Sequence, residues 1–202
     1  VTTIDYTIQQ YAEDIVKETA EQWPAEAVGI IVMNPNTGEI YAMADSNTFD
    51  LNQPNEVLAL SDETFKEKWD AMTDEEQLEY KYNMWKNFNV SSTYEPGSIF
   101  KPITVAAALE EGVITPQDTF FCAGYVEMYD EIMRCHLRSG HNTLDVQGAL
   151  AQSCNPAMIY ISQRMGKETL YRYKKNFGFG EKTGIDLPAE ENGILYGEDA
   201  IG

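Results

Sequence analysis

The chain has 202 residues, 43% of them hydrophobic, with 33 acidic against 14 basic side chains and a formal net charge of −19. That length and apolar content support a sizeable buried core. The charge disfavours nucleic acid and anionic membrane surfaces as partners, and no run of about 18 apolar residues offers a membrane span.

Tyr6 to Gln22 carries Ile8, Tyr11, Ile15 and Val16 on one helical face. Val28 to Met33 and Glu39 to Met43 are rich in strand formers, and Asn34-Pro35-Asn36-Thr37-Gly38 between them is a turn, so a hairpin is expected. Asp62 to Asn87 is acidic and helical in pattern. Its Phe65, Trp69, Met72, Leu78, Tyr82 and Trp85 are expected to be core contacts rather than a ligand-binding stripe, and its acids a solvated face. From Ser98 to Asn176 helices are expected to dominate, including Thr143 to Ala151, with loops from Phe177 onward. No internal repeat, low-complexity tract or signal peptide is visible.

Two short motifs carry chemistry. In Tyr94-Glu95-Pro96-Gly97-Ser98-Ile99-Phe100-Lys101-Pro102, a serine and a lysine stand three residues apart at the mouth of a helix. Residues so spaced share a helix face, which brings the Lys101 amine within reach of the Ser98 hydroxyl. A serine needs an adjacent base to become a nucleophile, and a lysine serves only if a desolvated pocket or cationic neighbour lowers its pKa. Alone, the spacing reads as an N-cap serine followed by a solvated lysine. Further along, Ser153-Cys154-Asn155-Pro156 forms a tight connection between two helices. It could present a second hydroxyl and an amide to the same cleft, or be an Asn-Pro turn with a capping serine.

The three cysteines leave alternatives open. Cys154 reads as a small buried residue. Cys122 and Cys135 bracket Gly124 to Met133, which as a hairpin would bring its ends together. They could pair as a disulfide or stay free, and with His136 and His141 they invite zinc. The Cys-x2-Cys spacing of structural zinc sites is missing, and no metal or cofactor is expected. His141 is expected to fix a loop by hydrogen bonding.

Taken together, the two boxes resemble the class B, monofunctional penicillin-binding protein transpeptidases. Ser92 to Lys101 is similar to their nucleophile box, with Ile99 where threonine is more usual, and Ser153-Cys154-Asn155-Pro156-Ala157 to their second box. Thr3-Ile4-Asp5 with Ile8-Gln9, Ala27 to Ala44, and Phe177 to Pro188 are also similar, so the resemblance covers nearly everything except about 54–86. It implies an α+β, β-lactamase/transpeptidase-like fold, an antiparallel sheet flanked by helices. The chain would be a partial transpeptidase domain: helix and hairpin 1–44, acidic helical insertion about 54–87, helical active-site part 98–176 and loop region 177–202. Its C-terminal strands would lie beyond Gly202, leaving the hairpin with an unpaired edge and the fragment very slow or inactive.

The resemblance further implies a D,D-transpeptidase that cross-links peptidoglycan. Ser98 would be the nucleophile, Lys101 the general base, Ser153 a proton carrier to the leaving amine, and Asn155 the group orienting substrate and Lys101. One oxyanion donor would be the Ser98 backbone N–H. D-Ala-D-Ala stem peptides and β-lactams would be its ligands, and a membrane glycosyltransferase the partner of the parent protein. The setting would be the extracytoplasmic face of a bacterial membrane, with an anchor upstream. The alternatives are a β-lactamase, a β-lactam-sensing receptor domain, or a non-catalytic relative. Lys182-Thr183-Gly184 spells the family's third box but sits in the wrong context, before Ile185-Asp186-Leu187-Pro188, and is expected to be a surface loop.

Overall fold

A computed structural model describes residues 2–128 and 130–196. The chain divides into two compact units, one made of the chain up to Ser92 with Gly184–Glu191, the other of Thr93–Thr183 with the segment from Asn192.

In the first unit, α1 (Tyr6–Gln22) begins where the Asp5 carboxylate accepts from the Thr7 and Ile8 amides, satisfying donors that a helix start leaves bare. It packs on an antiparallel hairpin, β1 (Gly29–Met33) and β2 (Ile40–Asp45). Ala12 and Val16 of α1 and Ala42 and Ala44 of β2 are buried there, with Ile8 packed against them. Tyr11 and Ile15, expected on that face, are exposed instead; the buried stripe runs Ile8, Ala12, Val16 at four-residue steps.

The N-terminal segment bonds along β2. Thr3 Oγ1 donates to the Ile40 carbonyl, the Asp5 amide to the Tyr41 carbonyl, and Gln9 grips Met43 at both its N–H (2.8 Å) and C=O (3.0 Å). These contacts occupy groups of β2 that an open edge strand would leave bare.

The acidic stretch folds as a 3-10 turn (Leu58–Ser61), α2 (Glu63–Asp70), α3 (Asp74–Met84) and the short α4 (Phe88–Ser91). Thr73 and Glu76 form a reciprocal capping box at the start of α3. Phe65, Trp69 and Tyr80 cluster with ring centroids 5.2–6.2 Å apart. Of the side chains expected as core, Trp69 is buried, whereas Leu78, Tyr82 and Trp85 are exposed. Trp85 is held by its indole N–H on the Pro54 carbonyl.

In the second unit, a 3-10 turn (Gly97–Phe100) runs into α5 (Lys101–Glu110). The segment then holds more strand than the expected dominance of helices suggested. Four short strands follow: β3 (Thr119–Cys122), β4 (Tyr125–Met128), β5 (Glu131–Arg134) and β6 (Asn142–Asp145). They form two antiparallel pairs, β3 with β6 and β4 with β5. The backbone crossing at Gly124 and Gly140 explains the shape. Both have positive φ (91° and 79°), and a Cβ at either would run into backbone of the other crossing segment.

Thr143 to Asp145, expected as helix, is therefore strand; α6 (Val146–Ala151) starts only where the Asp145 carboxylate caps the Gly148 amide at 2.7 Å. α7 (Asn155–Met165) and α8 (Lys167–Asn176) complete the unit. Its core gathers Val105, Ala107 and Ala108 of α5, Phe120 and Cys122 of β3, and Ala157, Met158 and Ile161 of α7. Among the described residues the architecture is α+β: helices with small antiparallel sheets.

Candidate active site

Ser98 sits in the 3-10 turn, behind Gly97 at φ +59°, and is exposed. Lys101 is the first residue of α5 and is partly buried. Ser153 and Asn155 flank Cys154, the N-cap of α7. Ser153 adopts a left-handed φ of +48°, which a residue with a Cβ holds only when its surroundings fix it. The α6–α7 turn does so: the Ser153 amide donates to the Leu150 carbonyl and the Cys154 amide to the Ala149 carbonyl.

All four expected site residues meet. Lys101 Nζ donates to the Ser153 carbonyl (2.7 Å), to Ser153 Oγ (2.8 Å) and to Asn155 Oδ1 (2.7 Å). Ser153 Oγ donates to Ser98 Oγ at 3.1 Å. The amide of Asn155 is oriented from the other side, donating through Nδ2 to the Arg134 carbonyl (3.0 Å) at the end of β5. The hydrogen bonds of Lys101 thus go to the second box, and the connection to Ser98 runs through Ser153 rather than directly along the helix face. Burial lowers the Lys101 pKa from its ordinary 10.5, opposed by the nearby Cys135 and Cys154. The arrangement offers an accessible hydroxyl, a second hydroxyl touching it, and a desolvated amine behind both. That is the layout for activating a serine nucleophile.

Lys182 lies in an exposed loop after α8. The expected bracketing of a hairpin by Cys122 and Cys135 is present, since β4 and β5 pair between them and the Cys135 amide donates to the Gly124 carbonyl. Cys122, Cys135 and Cys154 are unpaired and buried. Burial raises the Cys122 thiol, but hydrogen bonds from the His141 and Gly124 backbone and from the His141 and Cys154 side chains outweigh it and bring it to about 7. Burial pushes Cys154 up to about 12. His141 does hold a loop, through Nδ1 contacts of 3.6 Å to both Cys122 and Cys135. Missed from sequence was the convergence of Cys154 on that group; its position between Ser153 and Asn155 was the available signal.

Residues 28–199 match the family described as "Penicillin binding protein transpeptidase domain". Stage V sporulation protein D of Bacillus subtilis is 34% identical over 201 residues, 99% of this chain and 28% of that protein. Peptidoglycan D,D-transpeptidase MrdA of Acinetobacter baumannii is 26% identical over 194 residues, 95% of this chain and 26% of that protein. The crystal structure of penicillin binding protein 3 from Mycobacterium tuberculosis complexed with ampicillin superposes with a TM-score of 0.76 at 28% identity, covering 99% of this chain and 39% of that one. The chain therefore spans between a quarter and two fifths of the length of these proteins. The resemblance to class B transpeptidases and to their fold is borne out over nearly the whole chain: it belongs to the penicillin-binding protein transpeptidase domain family.

Proposed function

We propose that the chain supplies the serine, lysine and second-box residues of a peptidoglycan D,D-transpeptidase that β-lactams acylate. The observation that carries this reading is the continuous hydrogen-bond path Ser98–Ser153–Lys101–Asn155. Support comes from the relative named peptidoglycan D,D-transpeptidase and the similar structure complexed with ampicillin.

Ser98 Oγ attacks the carbonyl carbon of the penultimate D-Ala. With Lys101 neutral the two hydroxyls turn, so that Ser98 donates to Ser153 and Ser153 to Lys101; as the C–O bond forms, the Ser98 proton passes to Ser153 and the Ser153 proton to Lys101. Collapse of the tetrahedral adduct breaks the C–N bond, and the same path returns a proton to the departing D-Ala amine. An acceptor amine from a second stem peptide then displaces Ser98. With a β-lactam, the C–N bond that breaks is the lactam bond and the leaving amine stays tethered. Asn155 keeps Lys101 aimed at Ser153. The setting is the extracytoplasmic face of a bacterial membrane, beside a glycosyltransferase partner.

The test is covalent labelling of the parent protein by a fluorescent penicillin, with intact mass and peptide mapping. One adduct per chain on Ser98, absent in Ser98→Ala, is expected. Labelling that survives Ser98→Ala overturns the assignment, and rapid loss of the adduct to water favours a β-lactamase.

A further inference from the structure

We propose that Cys122, Cys135, His141 and Cys154 form a structural zinc site directly behind the second box. One ligand atom from each lies within 4.8 Å of all the others. His141 Nδ1 stands 3.6 Å from the Cys122 sulfur and 3.6 Å from the Cys135 sulfur. Tetrahedral zinc, with Zn–S about 2.3 Å and Zn–N about 2.0–2.1 Å, separates sulfur from nitrogen by about 3.6 Å and sulfur from sulfur by about 3.8 Å. The imidazole is already at that separation from two thiols, and the remaining gaps, all within 4.8 Å, close by at most about 1 Å.

The surroundings favour a metal over three thiols used merely as packing. The cysteines are 1%, 1% and 0% exposed. Small apolar side chains would fill that space equally well, yet an imidazole nitrogen is aimed at the sulfurs. Two of the glycines with positive φ, Gly124 and Gly140, respectively follow Cys122 by two residues and precede His141 by one. They allow the close backbone crossing that brings Cys122, Cys135 and His141 together. The Cys135 amide on the Gly124 carbonyl closes that crossing at 2.9 Å. A single disulfide would use two sulfurs and leave a buried thiol and the imidazole without a role. Three thiolates and one imidazole complete a tetrahedron and leave no open position, which is the pattern of structural rather than catalytic zinc. Binding releases the thiol protons to solvent. His136, exposed and 3.9 Å from the Cys135 sulfur, stays outside the set, so Cys154 takes the place that sequence spacing alone offered to His136.

The ion would reach the proposed catalytic chain through neighbouring backbone. Cys154 separates Ser153 from Asn155, and Cys135 follows Arg134, whose carbonyl holds the Asn155 amide. Zinc therefore ties β3, the β4–β5 hairpin and the start of α7 into one block and fixes the second box from behind. This consequence rests on the transpeptidase reading; the metal site does not.

The experiment is metal analysis of the intact parent protein, purified without chelator, beside cobalt titration of the metal-stripped protein. About one zinc per chain that survives dialysis is expected, with cobalt giving the thiolate charge-transfer absorption and intense visible bands of a tetrahedral site. Cys122→Ser and His141→Gln, neither placed in the catalytic chain, should lower zinc content at least about tenfold. A folded, cooperatively melting wild-type protein with neither zinc nor a tetrahedral cobalt spectrum overturns the proposal. So does a Cys–Cys disulfide found by mass in the native protein. Because the wild type carries the decisive readout, variants that fail to fold do not blunt the test. Zinc present without penicillin labelling would sink the functional reading and leave the site standing.

Discussion

Ser153 Oγ donates a hydrogen bond to Ser98 Oγ at 3.1 Å, across 55 positions of sequence. The base and the nucleophile are therefore coupled through a hydroxyl from another element. Removing that hydroxyl should interrupt the relay without dismantling Lys101, which keeps its bonds to the Ser153 carbonyl and to Asn155. Ser153→Ala is expected to slow penicillin acylation by about 10²–10⁴-fold, the usual worth of a positioned proton-transfer group. Ser153→Gly should lose as much activity yet melt at or above the temperature of Ser153→Ala, because glycine adopts the +48° φ freely. Stopped-flow acylation with thermal melts of both variants checks this. Near-wild-type acylation in either would remove Ser153 from the path.

Lys101 must be neutral to accept the proton. Burial lowers its pKa from 10.5, so the neutral fraction, and with it the acylation rate, rises with pH along a limb whose midpoint lies below 10.5. Asn155→Asp would set a carboxylate where Oδ1 now meets Lys101 and drop the donor to Arg134. An opposite charge favours the ammonium form and raises the lysine pKa. The rising limb should therefore move to higher pH, with its plateau reached later. A rate profile for Asn155→Asp that superposes on wild type would show that Asn155 does not contact the working base.

How much of this was legible in the sequence depends on where each constraint lives. Tyr94 to Lys101 and Ser153 to Asn155 were readable because their turn chemistry and functional groups are local. Between Thr119 and Asp145 only the β4–β5 hairpin was readable, from the cysteines that bracket it; β3 and β6 were not. Each has four residues, too few to establish a period of two, and their shape depends on the crossing at Gly124 and Gly140, which is tertiary. The cover over β2 was hidden for the same reason, since nothing in Gln9 itself announces that its amide will bond Met43, 34 residues away. The thiol cluster draws one residue from each of four places and so has no compact spacing to read.

Lys182 tests the reading of the third signature. It stands in an exposed loop, followed by Gly184 at φ +79° and then irregular backbone rather than a strand. A surface change of this kind lies within about 0.5 kcal/mol in stability, and no chemistry depends on it in the proposed mechanism. Lys182→Ala in the parent protein is expected to acylate within about threefold of wild type. A loss of a hundredfold would make Lys182 the third-box lysine after all.

The close crossing beneath the site gives a last prediction. At Gly140, with φ +79°, a Cβ would meet the backbone of Cys122 to Gly124, and backbone cannot swing aside as a flexible side chain can. Gly140→Ala combines a disfavoured φ with that overlap, so it belongs among the strongly destabilising substitutions, costing about 2 kcal/mol or more. Gly38, also at positive φ (78°) but with open space around its Cβ position, isolates the conformational part. Gly38→Ala should cost only about 1 kcal/mol. Urea denaturation of both variants separates the two effects. Equal midpoints would mean that the crossing of β3 and the β5–β6 connection is looser than its geometry indicates, and that the turn conformation alone sets the need for glycine.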